Sequence, residues 1–275
     1  MDITKRDLLL ALAGAGTGIL AGAGGLSTAF AQGQSADEMH DMSGLPPAWF
    51  RGDEEIAFLL YPGFTALDVV GPHYMLACLL GARVHMVAKD TGPVKSDLPL
   101  SIMADTTFET CPQKLTFLVV PGGSSGTLDA MQDQKTIDFV KSRGASAEYV
   151  TSVCTGSLIL GQAGLLDGYK ATSHWVVRDQ LAEFGAIPID ERYVIDRNRV
   201  TGAGVTAGID FGLALVAKQR DDRYAKAVQL MAEYEPVPPF DAGTPDKAGG
   251  EVTAMVANMF DGYKRKISEI SKTRT

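Results

Sequence analysis

The 275-residue sequence contains few cysteines and no excess of basic residues. Its three cysteines exclude a disulfide framework, because at most one bridge can form and one thiol must remain free. Lysine and arginine number 25 against 33 acidic residues, so the net charge of −8 leaves no basic surplus to neutralise nucleic-acid phosphates. Clustered metal ligands, a dinucleotide fingerprint and a phosphate loop are also missing. We therefore predict no metal site and no nucleic-acid partner.

The longest apolar segment lies at the N-terminus and has the features of an export signal. Lys5 and Arg6 precede a Gly/Ala/Leu-rich stretch that runs to about Thr28, and Ala29-Phe30-Ala31 provides a small-x-small cleavage site. The basic pair resembles a twin-arginine signal with lysine in the first position. An uncleaved membrane anchor is the alternative, but the glycines and the cleavage site favour removal and export to a periplasm-like compartment, with no stable membrane anchor afterwards.

The rest of the chain divides into a short linker and one domain. Residues 32–53 are polar, lack periodicity and contain Pro46-Pro47, so we predict a flexible linker after the signal at 1–31. Within it, Met39-His40-Asp41-Met42 offers soft metal ligands, although an ordinary linker is the favoured interpretation. Residues 54–275 form the predicted catalytic domain, long enough to bury one core.

Short apolar runs alternate with helical patterns, which indicates an α/β fold around a mostly parallel sheet. Parallel strands are covered on both faces and therefore read as continuously apolar. The predicted strands are Glu55–Tyr61, Val84–Ala88, Leu115–Val120, Tyr149–Val153 and two short ones within Ile187–Val200. The predicted helices are Asp68–Leu80, Gly126–Met131, Gln134–Arg143, Leu158–Ala163, Thr206 to about Lys218, and an amphipathic helix from about Glu251.

Cys154 is the leading candidate for a nucleophile. It follows the strand Tyr149–Val153 directly and precedes Thr155-Gly156-Ser157 and an apolar helix. This strand-to-helix turn resembles a nucleophile elbow, and the helix N-terminus would lower the pKa of the thiol. Cys78 and Cys111 lie in a predicted helix and loop, and packing is the simplest interpretation for both.

Three further positions could complete a site, since ligands of open α/β sheets bind beyond the carboxyl ends of strands. Gly122 and Gly123 end the third strand, and their N–H groups could turn toward a ligand as in an oxyanion hole. Asp68 has apolar neighbours and could act as a general acid, although helix capping is an equally good interpretation. His174 is expected to open a helix capped by Ser173 and is more often structural.

Several of these segments together resemble one family. Leu67–His73, Pro121-Gly122-Gly123 and Tyr149–Ser157 are similar to the PfpI/ThiJ superfamily, which has a class I glutamine-amidotransferase-like fold. Three more segments resemble its isonitrile hydratase group: Ala171–Trp175, Thr201–Asp210 and Tyr234–Gly243. The similarity extends from about Glu55 to Asp246.

The resemblance implies a homodimer of flavodoxin-like α/β subunits that needs no cofactor. It implies hydration of a small-molecule isonitrile to an N-substituted formamide through a covalent Cys154 thioimidate, with Asp68 as acid and base. Thr155 matches the threonine that follows the nucleophile. We expect Gly122, Gly123 and His174 to bind the oxyanion or substrate, and N–H groups of Gly123 and Thr155 to stabilise developing charge.

Two departures from the superfamily qualify this interpretation. Many members, including the peptidase-like ones, have histidine directly after the cysteine, where this chain has Thr155. The predicted export signal is the second departure, because the known hydratases of the family are cytoplasmic. The alternatives are a glyoxalase-like or other cysteine hydrolase, and a non-enzymatic protein that senses small molecules or oxidants through Cys154.

The carboxyl and the thiol should titrate as a coupled pair if they are in contact. Burial would raise the pKa of Asp68, and the helix N-terminus would lower that of Cys154. On this hypothesis the resting enzyme contains a thiolate beside a protonated carboxyl group.

The signal makes a direct prediction. N-terminal sequencing of the exported protein should begin at Gln32, because cleavage is expected after Ala31. Recovery of Met1 on protein that stays in the cytoplasm would contradict it.

Overall fold

The computed structural model describes residues 44–50 and 52–274. The predicted export signal and Met39–Met42 lie outside the described residues. None of the helices in this described part is long and apolar enough to cross a membrane.

A seven-stranded sheet forms the centre of the fold, and the predicted mostly parallel α/β architecture is confirmed. Its strands are β1 (Glu55–Leu59), β2 (Arg83–Ala88), β5 (Thr106–Thr107), β6 (Phe117–Val120), β7 (Tyr149–Val153), β10 (Tyr193–Asp196) and β11 (Arg199–Gly202). Their order across the sheet is β10-β11-β7-β6-β1-β2-β5, and every neighbouring pair is parallel except β10 with β11. Two small sheets pair β3 (Gly92–Lys95) with β4 (Ser101–Ala104), and β8 (Lys170–Ala171) with β9 (Ile187–Pro188).

Helices cover the sheet. They are α1 (Ala66–Leu76), α2 (Ser125–Gln132), α3 (Gln134–Ser146), α4 (Gly156–Gln162), α5 (Ala207–Gln219), α6 (Asp222–Met231), α7 (Pro245–Ala248), α8 (Gly250–Met259) and α9 (Asp261–Ser271). Two 3-10 helices, Pro47–Phe50 and Arg178–Phe184, complete the described elements.

The central strands bring three chain segments to one edge of the sheet. β7, β6 and β1 are adjacent and parallel, and their side chains are almost all buried. Because parallel strands end at the same edge, the residues that follow Leu59, Val120 and Val153 converge there.

Two glycines allow α5 to pack closely against α1. A Cβ atom on Gly208 would lie 2.8 Å from Pro72 Cδ, and one on Gly212 would lie 2.9 Å from Met75 Cβ. Both distances are shorter than carbon–carbon contacts permit, so larger residues would push the helices apart. This packing holds the C-terminal half of α1 close against α5.

Several predicted boundaries are corrected. The first helix ends at Leu76, because Cys78 lies in turns that follow it, whereas the pattern suggested Leu80. The β3–β4 hairpin and α6 were not predicted. Residues between Ile187 and Gly202 form three short strands, of which Ile187–Pro188 pairs with β8 instead of the main sheet.

The end of the predicted flexible linker is packed on the domain. Trp49 is buried, its Nε1–H donates to Asp221 Oδ2 at 3.0 Å, and its ring meets Tyr224 edge-on at 4.9 Å. Burial of an indole with its N–H satisfied offsets the cost of ordering this short segment. The ordered domain therefore begins before residue 54.

Candidate active site

Cys154 occupies a strained turn between β7 and α4. Its φ of 57° lies in the left-handed region, which a non-glycine residue adopts only when its surroundings hold it there. The Cys154 N–H donates to Gly202 O at 3.0 Å, and its carbonyl accepts from Ser157 Oγ at 3.2 Å and Ser173 Oγ at 3.0 Å. The backbone therefore has the geometry predicted for a nucleophile elbow.

Asp68 is the third residue of α1, and its side chain is fully buried. Oδ2 accepts a hydrogen bond from Gly122 N–H at 2.8 Å, whereas Oδ1 has no hydrogen-bond partner among the described residues. Thr65, not Asp68, occupies the N-cap position of α1. The helix-capping interpretation is therefore wrong, and the carboxyl group is turned toward the ends of the central strands.

The Gly122-Gly123 turn orients two side chains of the site. Gly122 N–H is taken by Asp68, and Gly123 N–H donates to Thr155 Oγ1 at 3.0 Å. The prediction that these N–H groups face a ligand is corrected accordingly, because each already has a side-chain acceptor. A Cβ on Gly122 would lie 2.5 Å from Thr155 Oγ1 and 3.0 Å from Asp68 Oδ2, so the close approach of both groups requires glycine.

Four hydroxyl groups meet beside this turn. Thr155 Oγ1 lies 3.0 Å from Gly123 O and 2.9 Å from Thr127 Oγ1, and Thr127 Oγ1 donates to Gly123 O at 2.9 Å. Tyr61 Oη donates to Pro121 O at 2.8 Å, and Tyr263 Oη lies 3.4 Å from Gly123 O. Of these, the sequence singled out Thr155 alone. Tyr61 follows β1 at the carboxyl edge, which is a signal that could have found it.

Burial dominates the protonation of Asp68. Loss of water raises the pKa of the carboxyl from 3.8 to about 8, and the charge of Asp97 adds to the rise. The Gly122 N–H and the neighbouring Cys154 side chain oppose it. Asp68 is therefore mainly protonated at neutral pH, as the sequence predicted.

Burial also raises the pKa of the Cys154 thiol, and the charge of an ionised Asp68 would raise it further. The N–H and hydroxyl groups of Thr155 lower it, but by less. The expected resting thiolate is therefore corrected, because desolvation of a buried anion outweighs these donors. Both groups carry their protons at neutral pH, and the first proton leaves the pair near pH 8.

His174 lies next to the site without joining the thiol–carboxyl pair. It is part of a turn, not the start of an α-helix, and Ser173 donates to Cys154 O instead of capping a helix. The imidazole is 5.9 Å from the ring of Trp175 and 6.0 Å from that of Phe260, and burial lowers its pKa. His174 is therefore neutral and packs with aromatic side chains beside the site.

Cys78 and Cys111 are buried, and no disulfide links any of the three cysteines. Within residues 44–50 and 52–274, no group of three or more His, Cys, Asp or Glu side chains could hold a metal ion.

Comparison with known proteins identifies the family of this chain. The DJ-1/PfpI family model matches residues 54–218. The chain belongs to the DJ-1/PfpI family. It is 50% identical over 198 residues to an isonitrile hydratase from Pseudomonas putida, a match that covers 72% of this chain and 86% of that enzyme. A THiJ/PfpI family protein from Pseudomonas syringae has 52% identity and a TM-score of 0.81, covering 84% of this chain and 98% of that structure.

DJ-1/PfpI domains also occur in longer proteins. The HTH-type transcriptional regulator GbdR of Pseudomonas aeruginosa is 30% identical over 200 residues, which cover 70% of this chain but 53% of the regulator. The present chain therefore spans about half the length of that relative.

The raised pKa of Asp68 predicts a pH-dependent stability effect. Between the unfolded value of 3.8 and the folded value of about 8, the folded protein holds a proton that the unfolded chain has lost. The free energy of unfolding therefore falls as pH rises through this window, by about 1.4 kcal/mol per pH unit. Asp68→Asn removes this dependence, so its stability relative to the wild type should increase with pH.

Urea unfolding of both proteins at several pH values measures the difference. Asp129→Asn, which changes an exposed carboxylate of α2, is the matched control and should follow the wild type. Parallel curves for Asp68→Asn and the wild type would mean that the buried carboxyl is ionised throughout.

Proposed function

We propose that this protein hydrates isonitriles to N-substituted formamides without a cofactor. The observation that carries the proposal is the buried Asp68 carboxyl, which lies beside the Cys154 thiol at a strained elbow and whose Oδ1 accepts no hydrogen bond from the residues that the structure describes. The arrangement suits a reaction in which a proton passes between sulfur and a substrate carbon. Identity of 50% to an isonitrile hydratase supports the substrate class.

The first half of the reaction forms a covalent intermediate. In the state with one proton on the pair, Asp68 Oδ1 takes the thiol proton while Cys154 Sγ attacks the terminal isonitrile carbon. Oδ1 then delivers that proton to the same carbon. One C–S bond and one C–H bond form, and the product is a thioimidate, R–N=CH–S–Cys154, with Asp68 again a carboxylate.

The second half consumes one water molecule. Asp68 Oδ1 removes a proton from water as its oxygen attacks the thioimidate carbon, and the proton passes to the substrate nitrogen. The tetrahedral adduct then collapses, the C–S bond breaks, and the hydroxyl proton returns through Asp68 to sulfur. The formamide R–NH–CHO leaves with the thiol and carboxylate restored.

Thr155 is proposed to assist when charge develops on sulfur. Its N–H and hydroxyl are the groups that lower the pKa of Cys154, so they stabilise the thiolate as it attacks and as it departs. Thr155 Oγ1 accepts from Gly123 N–H and lies 3.0 Å from Gly123 O, so its proton would turn from this carbonyl to sulfur as the charge develops.

The direct test is incubation of the purified protein with aliphatic and aromatic isonitriles, with the formamide followed by chromatography. A 2-oxoaldehyde is the comparison substrate, because a glyoxalase-like enzyme would use the same cysteine on a carbonyl group. Turnover of the 2-oxoaldehyde without formamide production would refute the proposal.

Substitutions at the site should separate the roles of its residues. Cys154→Ala should abolish formamide production, since no thioimidate can form, and Asp68→Asn should lower kcat by about 10²-fold or more, as for loss of a positioned acid–base group. His174→Ala should cost less, because the imidazole is packed among aromatic rings.

Cys111→Ala is the matched control for Cys154→Ala. Cys111 is also buried, and its thiol contacts Pro112 O at 3.7 Å, outside the site. It should retain turnover. A loss at His174→Ala equal to that at Cys154→Ala would reverse the proposed ranking.

Two further proposals concern the setting of the enzyme. Export to the periplasm is supported by Lys5-Arg6 and Ala29-Phe30-Ala31 in the sequence.

A homodimer is supported by apolar side chains that α1 leaves exposed, Leu67 and Val70, since such surface is commonly covered by a partner. Light scattering of the purified protein measures the second directly.

A further inference from the structure

We infer that the hydroxyl of Tyr263, on the C-terminal helix α9, donates a hydrogen bond to the nitrogen of the substrate. This inference rests on the proposed isonitrile hydration. Tyr263 lies beyond residues 54–218, the part of the chain that matches the family model. The C-terminal helix would thus supply a catalytic group from outside the matched segment.

Helix α9 is firmly attached to the 3-10 helix Arg178–Phe184. Gln180 Nε2 donates to Lys264 O at 2.8 Å and to Ser268 Oγ at 3.0 Å, and Glu183 accepts from both Ser268 and Ser271 at 2.8 Å. Ile267 and Ile270 are buried beneath the helix. Tyr263 precedes Ile267 and Ile270 by four and seven residues and therefore shares their face of the helix, so the same contacts determine its position.

The Tyr263 hydroxyl reaches the group of residues around the thiol. Its oxygen is 3.4 Å from Gly123 O, and it interacts with the hydroxyls of Thr127 and Thr155 and with the Cys154 side chain. Asp68 contacts Gly122, and Tyr263 contacts Gly123 on the adjoining part of the turn. A small substrate bonded to sulfur would therefore have the carboxyl and the phenol as separate neighbours.

The hydrogen bond from Tyr263 to Gly123 O is weak. Gly123 O is also 2.9 Å from Thr127 Oγ1 and 3.0 Å from Thr155 Oγ1. A carbonyl oxygen has two lone pairs, and these two shorter contacts can use both. At 3.4 Å the phenol is the third and most distant donor to this oxygen. It could therefore donate its hydrogen bond to a substrate acceptor instead, at little cost.

The chemistry of the reaction provides that acceptor. The nitrogen of the thioimidate gains a basic lone pair, one bond away from the carbon attached to sulfur. Burial raises the pKa of Tyr263 to about 12, so the phenol remains a donor at any working pH. A hydrogen bond to this nitrogen draws electron density from the carbon and assists attack by water.

The test is Tyr263→Phe, which keeps the ring and removes the hydroxyl. We expect kcat for isonitrile hydration to fall about 10- to 100-fold, because the donor acts on hydrolysis of the intermediate. The thioimidate should then accumulate, and acid-quenched reactions should contain protein heavier by the mass of one isonitrile. The rate of Cys154 alkylation by iodoacetamide should stay near the wild-type rate, since the thiol and Asp68 are unchanged.

Tyr193→Phe, which alters an exposed tyrosine of edge strand β10, is the matched control and should behave as wild type. An unchanged kcat in Tyr263→Phe would overturn the inference, because the tyrosine would then be dispensable. A fall in kcat accompanied by a changed rate of Cys154 alkylation would also overturn it, because the tyrosine would then be merely structural. If the wild-type protein itself produces no formamide, the proposed function fails and this inference fails with it.

Discussion

The burial of one carboxyl group, held by one backbone hydrogen bond, is the constraint on which this site depends. Gly122 N–H fixes Asp68 Oδ2, while Oδ1 has no hydrogen-bond partner in the described part of the chain and lies where water is excluded. An ionised carboxylate is costly there, so the proton stays on Asp68 until about pH 8. The same exclusion of water keeps the Cys154 thiol protonated. Reactivity then arises from proton transfer between the carboxyl and the thiol, not from a permanently ionised nucleophile.

The surrounding fold keeps this pair together by close backbone packing. Gly208 and Gly212 allow α5 to pack closely on α1, the helix that carries Asp68. Gly122 leaves room for the side chains of Asp68 and Thr155 to approach the same turn. Adjacent parallel strands bring these segments to one edge of the sheet. This arrangement has two costs, the strained backbone at Cys154 and an Asp68 Oδ1 that accepts no hydrogen bond within the described residues, and both occur where the chemistry is proposed.

Much of the fold and the turn at Cys154 could be predicted because their signals are local, whereas the pairing of Asp68 with Cys154 was predicted from the family resemblance. Continuous apolar runs marked the buried strands, and Tyr149–Val153 was located correctly together with the turn at Cys154. Three features could not be predicted, since they depend on contacts between distant segments. The direction of the Cys154 pKa shift depends on total burial, the Gly122 and Gly123 amides are occupied by residues 54 and 32 positions away, and Tyr263 approaches from a helix that has no local functional signal.

Thiolate absorbance as a function of pH, taken as the difference between the wild type and Cys154→Ala, tests the central claim most directly. If burial keeps both protons on the pair, the difference spectrum should contain no thiolate at neutral pH, and thiolate should appear only well above the ordinary pKa of a cysteine, because burial and the charge of an ionised Asp68 both raise the pKa of Cys154. A thiolate that is already fully formed at neutral pH would contradict the account, because the donors around Cys154 would then outweigh its desolvation.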